Sequence, residues 1–511
     1  MPIEVVWFKR DLRLRDHKPL QVASQSKNPL FLMYLVEPER KSQPDTDDIH
    51  IEWEIDCALA LDKNLRLIGG SLHIIHSNAI EILGKLDRTH GINRIFSHEE
   101  TGTSWSYQRD MLVKEWCEQQ EIQWIEFPSN GVVRGLESRD NWKASRDARM
   151  SEPLIEIPHN LTVIPAKENP DLTSVKLNPR PLKHRPVPGE DAAMSTIDSF
   201  LKERGELYRW RMSAPALATN HCSRLSPYFS AGCISIGRAV QMVSERQRQL
   251  KNEGLDPDSK SNWKKSLSSF QSRLAWHCHF IQKLEQEPTL DIRAMNHDLD
   301  SLMVREFDQK LYNAWATGNT GWPFFDACMR QLTSTGWINF RMRAMIMSVA
   351  SYTLWLPWRK TGLHLARLFM DYEPGIHWSQ VGMQSGTTGI NTVRAYSILK
   401  QGKDHDKEGY FIKKWIPELR NVPSKYIHEP WKMPEEIQAS ASCLIGKDYP
   451  MPCTDEASAR KEGVRRAYSA RRNPDAKTTS RLVYQKHGSR KKSSRRTHKS
   501  QEHRSIQTKL F

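Results

Sequence analysis

Two carboxylates, Asp371 and Glu373, stand two residues apart in the run DYEPGIH, and His377 closes that run. Two arginines with the same spacing, Arg341 and Arg343, lie shortly before them in INFRMRAM and point to different faces of a helical segment. Such groups can be solvated charge and surface ion pairs, or the frame of a polar ligand. A histidine there can donate a hydrogen bond, or a proton when charged. Upstream, HCSRLSPYFSAGCIS sets small hydroxyl residues around Arg224 just before a helical pattern. That loop can present N–H and hydroxyl donors to a phosphate at a helix N-terminus, or it can be a capped helix start. Tryptophans recur through the same region at Trp315, Trp322, Trp337, Trp355, Trp358 and Trp378. Most buried tryptophans are core residues. Yet Trp is the most easily oxidised side chain, and aromatics mixed this densely with arginines suit a protein that buries a planar, anionic cofactor for redox chemistry.

The elements that must position these residues fall into two styles. Over the first 130 residues, short apolar runs (Glu4–Phe8, Leu30–Val36, Ser71–His76, Asn93–Ser97 and Gln123–Phe127) alternate with segments of helical spacing. That alternation predicts βαβ units and an open parallel sheet of Rossmann-like type. No Gly-rich phosphate loop follows the first strand, where FKRDLRLRD stands, so a standard dinucleotide site is not expected in this domain. Residues 131–195 lose periodicity, and ENPDLTSVKLNPRPLKHRPVPGED reads as an interdomain linker. Residues 196–436 are helical and Trp-rich, predicting an all-α domain. Residues 437–511 form a C-terminal extension, expected to be basic and disordered from about 455 because it lacks apolar residues to bury.

Composition sharpens this division. The net charge of +15 is concentrated at one end, since Arg460 to the C-terminus holds 17 Lys/Arg against 3 Asp/Glu. The first 459 residues are then nearly balanced, with 58 basic and 57 acidic side chains. A basic end of this kind predicts affinity for nucleic acid, against the alternative of a solubility tail. Eight scattered cysteines form no C-x-x-C pair, which predicts reduced thiols, no metal site readable from spacing, and an iron–sulfur cluster only if distant cysteines converge. The N-terminus has no apolar leader and no run approaches membrane-spanning length, so a cytoplasmic protein, nucleoid-associated when bound to DNA, is expected.

The opening VVWFKRDLRLRDH, the SRLSP loop, SRLAWHCHFIQKL, INFRMRAM and DYEPGIH together resemble the photolyase/cryptochrome family over residues 1–436, within a divergent bacterial branch. The resemblance implies an α/β antenna-type domain followed by a helical domain that holds FAD. It places Ser223, Arg224, Leu225 and Ser226 around the flavin pyrophosphate, with Cys222 replacing a hydroxyl residue. It places Arg341, Arg343, Asp371 and Glu373 around the flavin, with Arg343 paired to Asp371, and His377 where a residue faces flavin N5. Trp276 falls on the helix lining the lesion cavity, where it stacks on damaged bases, with Met383 also on the lesion side; Arg273 stands where many dimer photolyases carry a Glu. Asn339 and Phe340 precede Arg341 in place of the histidines typical of animal-type (6-4) enzymes. Of the family's three electron-relaying tryptophans, Trp315 matches the outer and Trp358 the middle one; the proximal position is Val381, and Trp378 offers a rerouted path.

The function implied is light-dependent repair of UV-induced pyrimidine dimers by a monomeric FAD-containing deoxyribodipyrimidine photo-lyase, with an antenna chromophore left open. One alternative is a cryptochrome-type blue-light receptor, favoured by Arg273, His377 and Val381. Another is a nucleic-acid-binding flavoprotein without photochemistry, favoured by the basic end. The terminal SIQTKLF, through Gln507, Leu510 and Phe511, looks like a peptide that docks a sliding clamp.

Overall fold

The computed structural model describes residues 1–488. The first domain is a five-stranded, all-parallel sheet of order β3-β2-β1-β4-β5, formed by β1 (Ile3–Phe8), β2 (Leu30–Val36), β3 (His73–His76), β4 (Ile92–His98) and β5 (Gln123–Phe127). The alternation of apolar runs and helical spacing located all five strands to within two residues. In β1, Val6 and Phe8 enter one core while Ile3, Val5 and Trp7 enter the other, as expected of a strand covered on both faces. The chain order reverses at β1, so the loops after β1 and β4 open a crevice at the carboxyl edge of the sheet.

The core that contains Val6 and Phe8 continues into the helical half through Trp53, Phe200, Leu225, Tyr228 and Phe270. A separate core, with Trp315, Trp322, Trp358 and Trp378, fills the remainder of the helical half. Polar bonds also cross between the halves: Leu12 N–H to Ala231 O at 3.1 Å, Trp53 Nε1 to Pro227 O at 3.0 Å and His50 Nε2 to Phe369 O at 2.9 Å.

Two expectations are corrected. The start of the linker is folded: a helix over Trp142–Met150 buries Trp142, whose indole donates to Gly131 O at 2.9 Å. Of the segment expected to be disordered from about 455, the first part instead forms helices over Glu456–Arg472 and Pro474–His487, and the remainder lies outside the described residues. They bury little, but it is enough for docking: Ala467, Ala470 and Ala476 form a small core with Leu299, Met303 and Tyr352. Gly463 permits the close approach, since a Cβ there would lie 1.9 Å from Tyr352 O. Tyr352 belongs to a π-helical turn over Val349–Thr353 that widens the end of the Phe340–Ser348 helix. The clamp-like residues Gln507, Leu510 and Phe511 lie outside the described residues.

Candidate functional site

The loop before the Ser226–Ala231 helix is held from beneath. Arg204 donates to Cys222 O at 2.6 Å, Ser223 O at 3.2 Å and Thr196 O at 3.0 Å. With its carbonyls occupied, the loop keeps its hydroxyl side for a ligand. Arg224 adopts a left-handed backbone (φ 62°) and lays its guanidinium 3.8 Å from the Trp337 ring. Burial lowers its guanidinium to about 10, against the opposing charge of Asp371. Leu225 is fully buried and anchors the loop in the core, while Ser226 reaches the Asp371 carboxyl.

Asp371 joins this loop to the acidic run. Arg343 grips it with two bonds of 2.9 and 2.8 Å, donates a third to Ile338 O at 2.7 Å, and covers the Phe369 ring at 4.2 Å. Burial alone would raise the Asp371 carboxyl, but the Arg343 charge and bonds hold it below the ordinary range. Arg341 points elsewhere. It lies near His405, whose imidazole is lowered to about 4 by burial and then by the Arg341 charge. Positions two apart on a helix face different sides, so Arg343 meets Asp371 while Arg341 is turned toward His405 and keeps a buried Nε without a partner.

Glu373 turns to the first domain and accepts from Arg10 Nη2 at 2.7 Å, while its Oε1 is buried without a partner. His377 lies one turn on, at the start of the Pro374–Ser385 helix. Its Nε2 is 2.9 Å from Gly362 O, so that nitrogen carries the proton, and burial lowers the ring to about 3. The expected donor is thus a neutral imidazole with its N–H committed and only Nδ1 left to accept.

The aromatic path differs from a simple row. Trp378 packs edge-on against Trp358 at 6.2 Å and against His377 at 5.0 Å. Gly362 makes room for it: a Cβ there would lie 2.9 Å from the Trp378 ring and 3.2 Å from Val381. Trp378 therefore occupies space beside Val381 and next to Trp358. Trp358 donates its indole N–H to Asp300 at 2.7 Å. Trp315, expected to be the outer member, is fully buried; it bonds Ile346 O at 3.1 Å and neighbours His364 and Tyr312.

On the Pro257–Gln286 helix, Arg273 stacks 4.5 Å from Trp276 and 5.6 Å from Phe340, and bonds the Tyr208 hydroxyl. Phe340 is 46% exposed and Trp276 half-buried, so this sandwich faces outward. Met383 is half-buried on the Pro374–Ser385 helix.

Sequence reasoning did not find Arg204, Asp45 or Asp300. No local signal marks them, because each acts on residues distant in the chain. The β1 and β4 loops also line an open cleft with Trp7, Lys9, Arg40, Trp105, Arg109 and Tyr372. Beside it Asp11 accepts from both His17 (2.8 Å) and His98 (2.6 Å), while His17 Nδ1 accepts from Leu20 N–H. Each N–H of this triad is spent on the carboxylate, which makes it a structural bracket for the loop rather than a ready set of metal ligands. Among the described residues no three cysteines converge.

Two family models match the chain: DNA photolyase over residues 4–143, and the FAD binding domain of DNA photolyase over residues 270–469. A deoxyribodipyrimidine photo-lyase of Alkalihalophilus pseudofirmus is 26% identical over 90% of this chain and 97% of its own length. A cryptochrome DASH of Natronomonas pharaonis is 24% identical over 89% and 98% respectively. Among solved structures, the bacterial class III photolyase from Agrobacterium tumefaciens superposes with TM-score 0.78 at 23% identity, covering 93% of this chain and 98% of that one. The Synechocystis sp. PCC6803 cryptochrome superposes with TM-score 0.80 at 21% identity, covering 91% and 99%.

Proposed function

We propose that this chain, which belongs to the photolyase/cryptochrome family, is a light-driven repair enzyme that splits UV-induced pyrimidine dimers in DNA, working as a cytoplasmic monomer. Its cofactor is FAD, matched by the family's FAD binding domain. The side chains fit that group. Ser223, Arg224 and Ser226 would hold the pyrophosphate, and the Arg343–Asp371 pair would frame the rest of the flavin nucleotide. Facing helices carry polar atoms buried without partners, His277 Nδ1 on one and Gln384 Oε1 and Glu373 Oε1 on or beside the other, as a polar ligand between them requires. Bound there, FAD supplies the photo-excited electron donor; the protein contributes binding, orientation and a water-poor setting.

The observation that carries the repair reading is the outward sandwich of Trp276, Arg273 and Phe340. A base taken out of the duplex is held by stacking on an aromatic face. Arg273, where many relatives place an acid, supplies a donor to pyrimidine carbonyl oxygens instead of an acceptor. Exposed Arg465, Arg466, Arg472, Lys477 and Arg481 on the C-terminal helices add affinity for phosphate. Trp276→Ala tests this reading. Binding of dimer-containing DNA should weaken by about 1–3 kcal/mol, the worth of a base–aromatic stack, while flavin content is unchanged. Unchanged lesion affinity would place the lesion site elsewhere.

The second reading is a cryptochrome-type receptor. Arg273, the neutral His377 and Val381 all depart from the repair pattern, and they favour it. A receptor would show light-driven reduction of its flavin with no turnover of lesions.

A further inference from the structure

The tryptophan pair Trp358–Trp378 ends in a hydrogen-bonded relay that leaves the helical core. Trp378 Nε1 donates to the Tyr372 hydroxyl at 3.0 Å, and that hydroxyl donates to Asp45 Oδ2 at 2.5 Å. Trp378 is 1% exposed and Asp45 is 6% exposed, while Tyr372 between them is half-buried. Tyr372 and Asp45 also line the open cleft between the domains. Two histidine rings touch Tyr372: His50 stacks on it at 5.7 Å and His377 meets it edge-on at 5.3 Å. His50 is already engaged at both nitrogens, donating to Phe369 O and accepting from Asp47 N–H. His377 has its proton committed to Gly362 O, and burial makes its ring a weak base. Asp45 is therefore the base placed to take a proton from Tyr372.

We propose that Tyr372, with Asp45 as its proton acceptor, is the terminal electron donor to Trp378. An oxidised phenol is a very strong acid, so a tyrosine gives up its electron readily only where a base stands ready for the proton. The short, charge-assisted bond to Asp45 meets that condition in the resting protein. Bound FAD, oxidised and photo-excited, would supply a one-electron oxidant, and Trp378 would give up one electron to it and become an indole radical cation. Tyr372 then passes one electron to Trp378 and its phenolic proton to Asp45 Oδ2. Trp378 is restored with its N–H intact, and a neutral tyrosyl radical and a protonated Asp45 remain. Burial, with the Asp45 charge beside it, pushes the phenol well above its ordinary value, so Tyr372 holds its proton until oxidation. The hole then lies at the cleft wall, within reach of a small soluble reductant such as a thiol. A Tyr in place of a third tryptophan thus completes a path that Val381 would otherwise leave short.

This inference rests on bound FAD but not on repair. The test is flash photolysis with electron paramagnetic resonance on full-length protein whose flavin is oxidised. The expected result is a tyrosyl radical that grows in as the tryptophan radical decays, with the growth slowed several-fold in D₂O. Tyr372→Phe should abolish it and leave a tryptophan radical that recombines faster. Asp45→Asn keeps an oxygen for the hydrogen bond but removes the base; it should suppress the tyrosyl signal with FAD content and thermal stability preserved. A wild-type protein that shows only tryptophan radicals overturns the proposal, whether the hole rests on Trp358 beside Asp300 or on Trp378. So does a tyrosyl radical unchanged in Asp45→Asn. A purified protein that cannot be loaded with flavin overturns both this inference and the repair reading.

Discussion

At the residue scale, the site is organised by Asp371, which Arg343 grips with two bonds and which Ser226 and Arg224 approach from the SRLSP loop. Its carboxyl is held below the ordinary range, so the folded protein binds fewer protons there than the unfolded chain does. The contribution to stability is full above the ordinary carboxylate value and is lost as pH falls through the folded one. Removing one partner of a buried pair costs about 3–5 kcal/mol. Asp371→Asn should therefore lower stability in denaturant at neutral pH by that order, flatten the acid limb of the pH profile, and reduce flavin content. An unchanged acid limb would show that another group governs it. The Arg343–Asp371 pair was legible through the family resemblance that INFRMRAM and DYEPGIH carry. The committed proton of His377 was not, since its partner Gly362 is set only when the Trp358–Leu368 and Pro374–Ser385 helices pack together. Arg204 was invisible for the same reason: nothing near it in the chain says which carbonyls it will meet.

At the scale of elements, period proved a better guide than composition. The five strands were readable from alternation because each is a short, fully flanked apolar run. The C-terminal helices were not, because their charge masked a sparse stripe of small residues at Gly463, Ala467 and Ala470, spaced one helical turn apart. That stripe docks on the π-helical turn at Tyr352. Two truncations should separate docking from charge. Ending the chain after residue 488 removes eight Lys/Arg. It should lower DNA affinity and flatten its salt dependence, by about 0.9 in log–log slope for each phosphate no longer neutralised, with stability intact. Ending it after residue 455 should in addition lower the melting temperature, because Leu299, Met303 and Tyr352 lose their cover. Equal melting temperatures for the two truncations would show that the helices add nothing to the fold.

At the scale of the whole molecule, the α/β domain and the helical domain meet through the acidic run itself: Glu373 bonds Arg10 and Tyr372 bonds Asp45, while Asp371 and His377 face inward. One short segment thus ties the halves together. The direct test is to load the protein with FAD, reduce it chemically, and illuminate it with DNA carrying either cyclobutane dimers or (6-4) products. A repair enzyme removes one of the two lesions in the light and neither in the dark. Persistence of both lesions, with the flavin bound and reduced, would contradict the repair reading and make this chain a light receptor.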